Sequence, residues 1–147
     1  MAKLYLKDLR KTVRKAKRTV SHADVVQVHT ASGLSNLQFV PLDTSYVALP
    51  AEIWELFLEY SGVDRIKYKS DTMDCDDFAQ ILCGECKRKL HVNGIGLVVY
   101  FSGGHAYNAL LAYEGSELSL LTIEPQNDKI IINRSGMYAA QQGFLLL

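Results

Sequence analysis

The chain of 147 residues has the length of one ordinary domain, and 48% hydrophobic with 22% charged residues is a globular composition. The formal net charge is zero, no apolar stretch approaches the about 18 residues of a membrane span, and charged residues interrupt any N-terminal signal peptide. The three cysteines crowd into one segment, which argues against a disulfide framework. We therefore expect a single domain, residues 1–147, in the cytoplasm.

Residues 1–20 are predicted to form a basic amphipathic helix. Apolar residues recur at steps of three and four, at Leu6, Leu9, Val13, Ala16 and Val20. The same segment holds eight basic side chains against one acid, Asp8. Such a surface suits an anionic partner, a nucleic acid or an acidic protein, or a solvated face docked on the acidic remainder of the chain.

The next elements are two short strands and two helices. The β-branched run 25–29 predicts a strand, and a second is expected over 37–40. Pro50 and Gly62 bracket a predicted helix over 51–60. Another helix is predicted from Cys75 to Leu90, with Asp74 as its N-cap.

The remainder is predicted to be rich in strands, at 95–101, 105–113, 118–123 and 129–132. The terminal run Phe144–Leu147 is expected to be an edge strand or part of an oligomer contact. Helices followed by an antiparallel meander predict an α+β fold, with the cysteine-bearing helix packed on an antiparallel sheet.

Of the three cysteines, Cys75 lies at the position expected of a catalytic nucleophile. A thiol attacks only as its thiolate, and the start of a helix favours that negative charge. Cys75 begins a predicted helix, whereas Cys83 and Cys86 lie in its middle. The acids around Cys75 oppose the thiolate, so a further charge is needed to offset them.

A base and an orienting acid follow later in the chain. His105 begins a predicted strand after two glycines, of which Gly104 leaves space for a substrate beside the imidazole. Glu124 ends the next predicted strand, so its carboxylate could reach the second ring nitrogen of His105. The expected roles are nucleophile for Cys75, base for His105 and orienter for Glu124.

Three short motifs within residues 65–130 resemble a known superfamily: the segments 75–79 (CDDFA), 105–108 (HAYN) and 124–127 (EPQN). They are similar to the papain-like and transglutaminase-like cysteine hydrolases, most closely to the calcium-dependent protease domain of Marasmius-type mushroom agglutinins and to small bacterial and phage proteins. The resemblance implies a papain-like core with its catalytic residues in 65–130. It also implies a cysteine protease-like hydrolase that acts on a peptide or amide through a Cys-His-Glu catalytic triad.

The same resemblance implies a calcium site and part of a substrate cleft. Its ligands would be Asp71, Asp76, Gln126 and Asn127. These are the hard oxygen donors that calcium prefers, and the cation would offset the acids beside the thiol. Tyr68 would line the substrate cleft.

Several alternatives remain open at this point. The nearest is a peptidoglycan amidase or endopeptidase of phage or bacterial origin. Another is a non-enzymatic binding or inhibitor protein that keeps the papain-like fold. Cys83 and Cys86 have the spacing of a redox or zinc motif, although core packing is the simpler interpretation. Cys75 taken alone could be a buried apolar residue.

Overall fold

The computed structural model describes residues 3–132 and 134–147. The α-helices are α1 (Leu6–Ala16), α2 (His22–Ala31), α3 (Ala51–Ser61) and α4 (Cys75–Leu90). The strands are β1 (Arg18–Ser21), β2 (Gln38–Val40), β3 (Ser45–Ala48), β4 (Ile95–Tyr100), β5 (His105–Glu114), β6 (Glu117–Glu124), β7 (Lys129–Ile130) and β8 (Gly143–Leu146). Two short 3-10 helices lie at Val63–Arg65 and Gly136–Tyr138.

Six strands form the main sheet in the order β2-β8-β4-β5-β6-β7. Its neighbours are antiparallel except β2 and β8, which pair in parallel. Strands β1 and β3 form a separate antiparallel pair. The mixture of helices and this sheet confirms the α+β class that the sequence predicts.

Both faces of β5 are buried along most of its length, which explains its continuous apolar sequence. Leu110 and Ala112 face a core shared with α1, α3 and α4. Tyr107, Ala109 and Leu111 face the opposite core, to which Val25 of α2 belongs. The period of two along a strand therefore sends alternate side chains of β5 to different helices.

The helices α3 and α4 have the predicted local signals. Gly62 takes a left-handed conformation with φ 64° just after α3. At the start of α4, the Asp77 carboxylate accepts the backbone N–H of Asp74 at 3.1 Å. The helix ends at Leu90, followed by His91 in a left-handed conformation with φ 56°.

Three sequence predictions need correction. Residues 25–29 are helical, because Ser21 and Asp24 form a capping box that starts α2. The basic helix ends at Ala16, and residues 18–21 pair with β3 as a strand. The terminal strand β8 is interior, between β2 and β4, because its backbone bonds on both sides. Among the described residues, no helix is long and apolar enough to cross a bilayer.

Candidate functional site

Cys75 is the first residue of α4 and is partly buried. Ligand atoms of Asp74, Cys75 and Asp76 lie within 4.8 Å of one another. A hydrogen bond with Asp74, followed by burial and the charge of Asp74, raises the pKa of Asp76 above its ordinary value. The helix start is therefore crowded with negative charge, as the sequence predicts.

His105 and Glu124 meet across β5 and β6. Nε2 of His105 lies 2.7 Å from Oε2 of Glu124, and the hydroxyl of Tyr138 donates to the same oxygen at 2.8 Å. The other oxygen, Oε1, accepts from the backbone and side-chain nitrogens of Gln126 at 3.2 and 3.3 Å. Glu124 is only 5% exposed, so these bonds satisfy a buried carboxylate.

The pKa of Glu124 reflects two opposing effects. Burial raises it, whereas hydrogen bonds from His105 and Tyr138 lower it, and the net pKa lies below the ordinary value. The carboxylate thus lies beside Nε2 of His105, and its role as the orienter of that ring stays a prediction. The pair itself is thus present in the fold.

The role of Cys75 beside this pair stays a prediction, since the thiol makes no hydrogen bond to it among the described residues. The His105 ring lies 5.9 Å from the ring of Tyr107, on the face of β5 that Tyr107 shares. The helix α4 packs on the other face, where Asn108 Nδ2 donates to the Ala79 carbonyl at 3.0 Å. Among the residues that the structure describes, no hydrogen bond links Cys75 to His105.

The expected cleft residues lie at the surface. Tyr68 is 54% exposed, and Gly104 is exposed with φ 56°. A Cβ on Gly104 would meet no atom within 4 Å, so its glycine serves the turn conformation and leaves open space beside β5.

The four predicted calcium ligands each hydrogen-bond within their own segment of the chain. Asp71 has φ 62°, and its backbone N–H donates to Asp74 Oδ2 at 3.2 Å. Asp76 accepts from Gln80, while Gln126 donates to Glu124 and Asn127 accepts the Lys129 backbone N–H. Within residues 3–132 and 134–147, no hydrogen bond ties Gln126 or Asn127 to the acids before α4. The calcium site at Asp71, Asp76, Gln126 and Asn127 therefore stays a prediction.

Sequence reasoning missed the aromatic residues around the His105–Glu124 pair. The Tyr138 ring contacts His105 edge-on at 5.4 Å and Tyr107 at the same centroid distance. Tyr138 lies in a short 3-10 helix with no periodic pattern, so no local signal announces it. Asn108, which the HAYN motif contains, is fully buried and fastens β5 to α4 and β4.

Cys83 and Cys86 serve the core. Burial raises the pKa of Cys83 to about 11, and it raises that of Cys86 further. Asn108 Nδ2 donates to Cys83 Sγ at 3.3 Å, and the Cys86 thiol lies 3.6 Å from the Val92 carbonyl. Both environments favour the protonated thiol, which supports packing over a redox or zinc role.

A polar groove of about 660 Å³ lies elsewhere, between α2, β1 and β6. None of Cys75, His105 and Glu124 lines it. Its polar lining includes Arg18, Asp24, Gln27, Ser32, Ser119 and Arg134. We call this cavity the α2 groove. No sequence motif marks it, because its residues come from four separate segments.

Comparison with known proteins gives no family assignment from sequence. No family model matches the chain, and neither does any curated protein. Solved structures do match. One is a complex named PSL1a–E64, at 23% identity and a TM-score of 0.65, covering 88% of this chain and 50% of that chain. A second is Polyporus squamosus lectin bound to the epitope Neu5Acα2-6Galβ1-4GlcNAc, at 23% identity and TM-score 0.63, covering 88% and 49%.

These structures contradict the expected assignment to the papain-like and transglutaminase-like cysteine hydrolases. The matched protein is a lectin, and the second structure is described as that lectin bound to a glycan epitope. The predictions of a thiol protease, of hydrolase activity and of a peptidoglycan amidase are therefore corrected. The chain spans about half the length of the structures it matches, and at 23% identity the likeness shows a shared fold alone.

Proposed function

We propose that this chain is a non-enzymatic binding protein that keeps a papain-like core, residues 1–147, and holds a carbohydrate. A carbohydrate is therefore the proposed ligand, instead of the peptide substrate or the nucleic acid expected from the sequence. The likeness to a lectin over 88% of the chain supports this proposal. The three free thiols are consistent with a reducing compartment such as the cytoplasm.

The α2 groove is the observation that carries the proposal. It is an open concave surface of about 660 Å³, within the size of small-ligand sites. The Gln27 amide both donates and accepts hydrogen bonds, as does the Ser119 hydroxyl. A sugar presents the same mixture of donors and acceptors around its ring, so these groups are complementary to it.

The arrangement of His105 and Glu124 also fits a binding protein. Their side chains are only 9% and 6% exposed, and Glu124 bonds to three residues of the chain itself. Such a buried, satisfied network rigidifies a fold. We propose that it fastens the ends of β5 and β6 to the 3-10 helix at Gly136–Tyr138.

Binding of the purified chain to a panel of immobilised oligosaccharides tests the proposal. We expect binding to at least one sugar, and a loss of affinity in Gln27→Ala, which removes an amide from the groove. Gln80→Ala is the matched control, since Gln80 is also an exposed helical glutamine but does not line the groove.

Two results would contradict the proposal. One is the absence of binding to every sugar in the panel by a folded chain. The other is cleavage of a peptide or amide that Cys75→Ser abolishes, because a binding protein requires no thiol for its effect.

A further inference from the structure

We infer that a cleft between α1 and the end of α4 binds a ligand that carries several phosphate groups. We call this cavity the α1 cleft. Its volume is about 490 Å³, and of the described residues none lines both it and the α2 groove. Its polar lining consists of basic residues and one histidine, at Lys7, Arg10, Arg14, Lys17 and His91. The inference therefore concerns a second site and does not depend on carbohydrate binding.

The helical period places the four cations of α1 in one row. Lys7, Arg10 and Arg14 follow one another at steps of three and four residues, and Lys17 is the C-cap three residues later. Residues at these steps are neighbours on a helix surface. The row extends roughly 15 Å along the axis, at 1.5 Å per residue, which suits a ligand with more than one anionic group. His91, just beyond α4, lines the same cleft.

The positive charge of this row is not neutralised within the described part of the chain. No carboxylate there lies within salt-bridge distance of Lys7, Arg10, Arg14 or Lys17. Asp8, the one acid of α1, does not line the cleft. Like charges at steps of three and four repel one another and destabilise a helix. A bound polyanion would relieve that repulsion.

The packing of α1 holds the row in place. Leu9 and Val13 are 0% and 3% exposed and belong to the core that α4 shares. Nε of Arg10 donates to the Lys89 carbonyl at 2.7 Å, and the guanidinium has further N–H donors at its Nη atoms. Because the apolar side of α1 is buried in the protein, its charged side is presented to a ligand at the surface.

The carbonyl end of α4 would by itself disfavour an anion, because its carbonyls carry a partial negative charge. Two of these carbonyls are already engaged. That of Lys89 accepts from Arg10, and that of Lys87 accepts the His91 backbone N–H at 3.1 Å. The full charges of the row outweigh the dipole of α4, which is equivalent to about half an elementary charge.

Phosphate groups suit this lining better than carboxylates do. A phosphate monoester carries about −1.5 to −2 charges at neutral pH, so a few of them balance the row within a small volume. Arginine binds phosphate through paired N–H groups, and lysine binds it as a point charge. Among the described residues no aromatic side chain lines the cleft, so it offers no platform for stacked bases. A phosphorylated inositol, free or as the headgroup of a lipid, has the required chemistry.

Calorimetry on the full chain compares inositol trisphosphate with inositol monophosphate. We expect the trisphosphate to bind about tenfold or more tightly, with an affinity that falls as salt is added. Phosphatidylcholine vesicles that contain phosphatidylinositol bisphosphate distinguish the source of the phosphates. With a lipid source, the chain sediments with these vesicles and free trisphosphate displaces it. With a soluble source, only the free trisphosphate binds, and either result supports the site.

Two double variants assign the binding to the cleft. Arg14→Gln combined with Lys17→Gln should weaken trisphosphate binding about tenfold or more, because both side chains line the cleft. Lys11→Gln combined with Lys15→Gln is the matched control, since it removes the same charge from exposed positions of α1 outside the cleft. The control should change the affinity by less than about twofold. Oligosaccharide binding should persist in both.

Several results would overturn the inference. They are no binding of inositol trisphosphate by the folded chain, equal affinity for the two inositol phosphates, and equal losses in the two double variants, which would indicate attraction to the overall charge of α1. Duplex DNA that binds more tightly than the trisphosphate and displaces it would favour a nucleic-acid surface instead. Circular dichroism establishes that the variants are folded, and Lys7→Gln provides a single substitution at the other end of the row.

Discussion

Nε2 of His105 lies 2.7 Å from Oε2 of Glu124, and this contact ties the start of β5 to the end of β6. Both side chains are almost fully withdrawn from solvent. A buried carboxylate without partners would be costly, whereas here it accepts bonds from His105, Tyr138 and Gln126. The relationship makes Glu124 a residue on which the stability of this region depends.

Glu124→Gln should destabilise the chain by about 2–3 kcal/mol, because a neutral amide replaces the charged acceptor of several buried hydrogen bonds. Urea unfolding followed by circular dichroism measures the change. Glu117→Gln, at the exposed start of the same strand, is the control and should stay within about 0.5 kcal/mol. Equal effects of the two substitutions would contradict this role for Glu124.

The decrease in unfolding free energy at acidic pH should also depend on Glu124. Its pKa in the folded chain is below the ordinary 4.5, since the hydrogen bonds outweigh burial. The carboxylate therefore stabilises the fold above the unfolded pKa, and that contribution is lost as the pH falls through the lower, folded pKa. Unfolding free energies measured between about pH 6 and pH 3 should decline less steeply in Glu124→Gln than in the wild type.

Asp128 should act in the opposite direction. Burial, then the neighbouring charge of Asp64, raises its pKa to about 6. Because the folded chain holds this proton more tightly than the unfolded chain, its stabilising contribution is present at low pH and lost as the pH rises to about 6. Oδ1 of each acid is buried and has no hydrogen-bond partner among the described residues.

Asp128→Asn should therefore raise stability at pH 7 by about 1 kcal/mol and flatten its dependence between about pH 4 and pH 6. Asparagine also accepts the left-handed conformation of this position, where φ is 57°. Asp8→Asn, at an exposed site in α1, is the comparison and should leave that slope unchanged. A destabilised Asp128→Asn chain at pH 7 would refute the prediction.

The three thiols should differ in their reaction with iodoacetamide at neutral pH. Burial raises the pKa of Cys83 to about 11 and that of Cys86 still higher, so both have little thiolate. Cys75 lies at the start of α4, where the helix favours an anion. Mass spectrometry of peptides should show Cys75 modified far faster, and similar rates at all three sites would contradict this expectation.

Calcium binding beside Cys75 stays a prediction from the sequence. A hydrogen bond with Asp74, then burial and the charge of Asp74, raise the pKa of Asp76, and a divalent cation would offset the charge of these carboxylates. Calcium chloride should increase the thermal unfolding temperature and slow or speed Cys75 alkylation, with Asp76→Asn reducing both effects. Magnesium at the same concentration is the control, and no response to calcium in either assay would remove the site.

The helix α4 was predictable because its signals are local. Asp74 precedes it, the apolar residues Phe78, Leu82 and Cys86 follow the helical period, and the observed bounds match the prediction. The sequence predicts a strand over 25–29, within α2, because β-branched residues favour strands. In the structure the capping box of Ser21 and Asp24 starts the helix and outweighs strand propensity.

The site was predictable only in part, because its members meet through the sheet. The pairing of β5 with β6 brings His105 near Glu124, as the order of the strands suggests. No sequence motif predicts the α2 groove, because the groove depends on how α2 packs on the sheet. Its lining includes Arg18, Gly33 and Arg134. The sequence motifs alone predict an enzyme, whereas the α2 groove can be recognised only in the three-dimensional structure.

The parallel pairing of residues 38–40 with 144–146 has a consequence for synthesis on the ribosome. Strand β2 emerges about 100 residues before β8, the strand that places it in the sheet. Until β8 is synthesised, the backbone of β2 lacks its pairing strand and is exposed to chaperones and to other nascent chains. Closure of so long a loop is slow, so completion of the sheet is expected to be a late event in the maturation of the newly made chain.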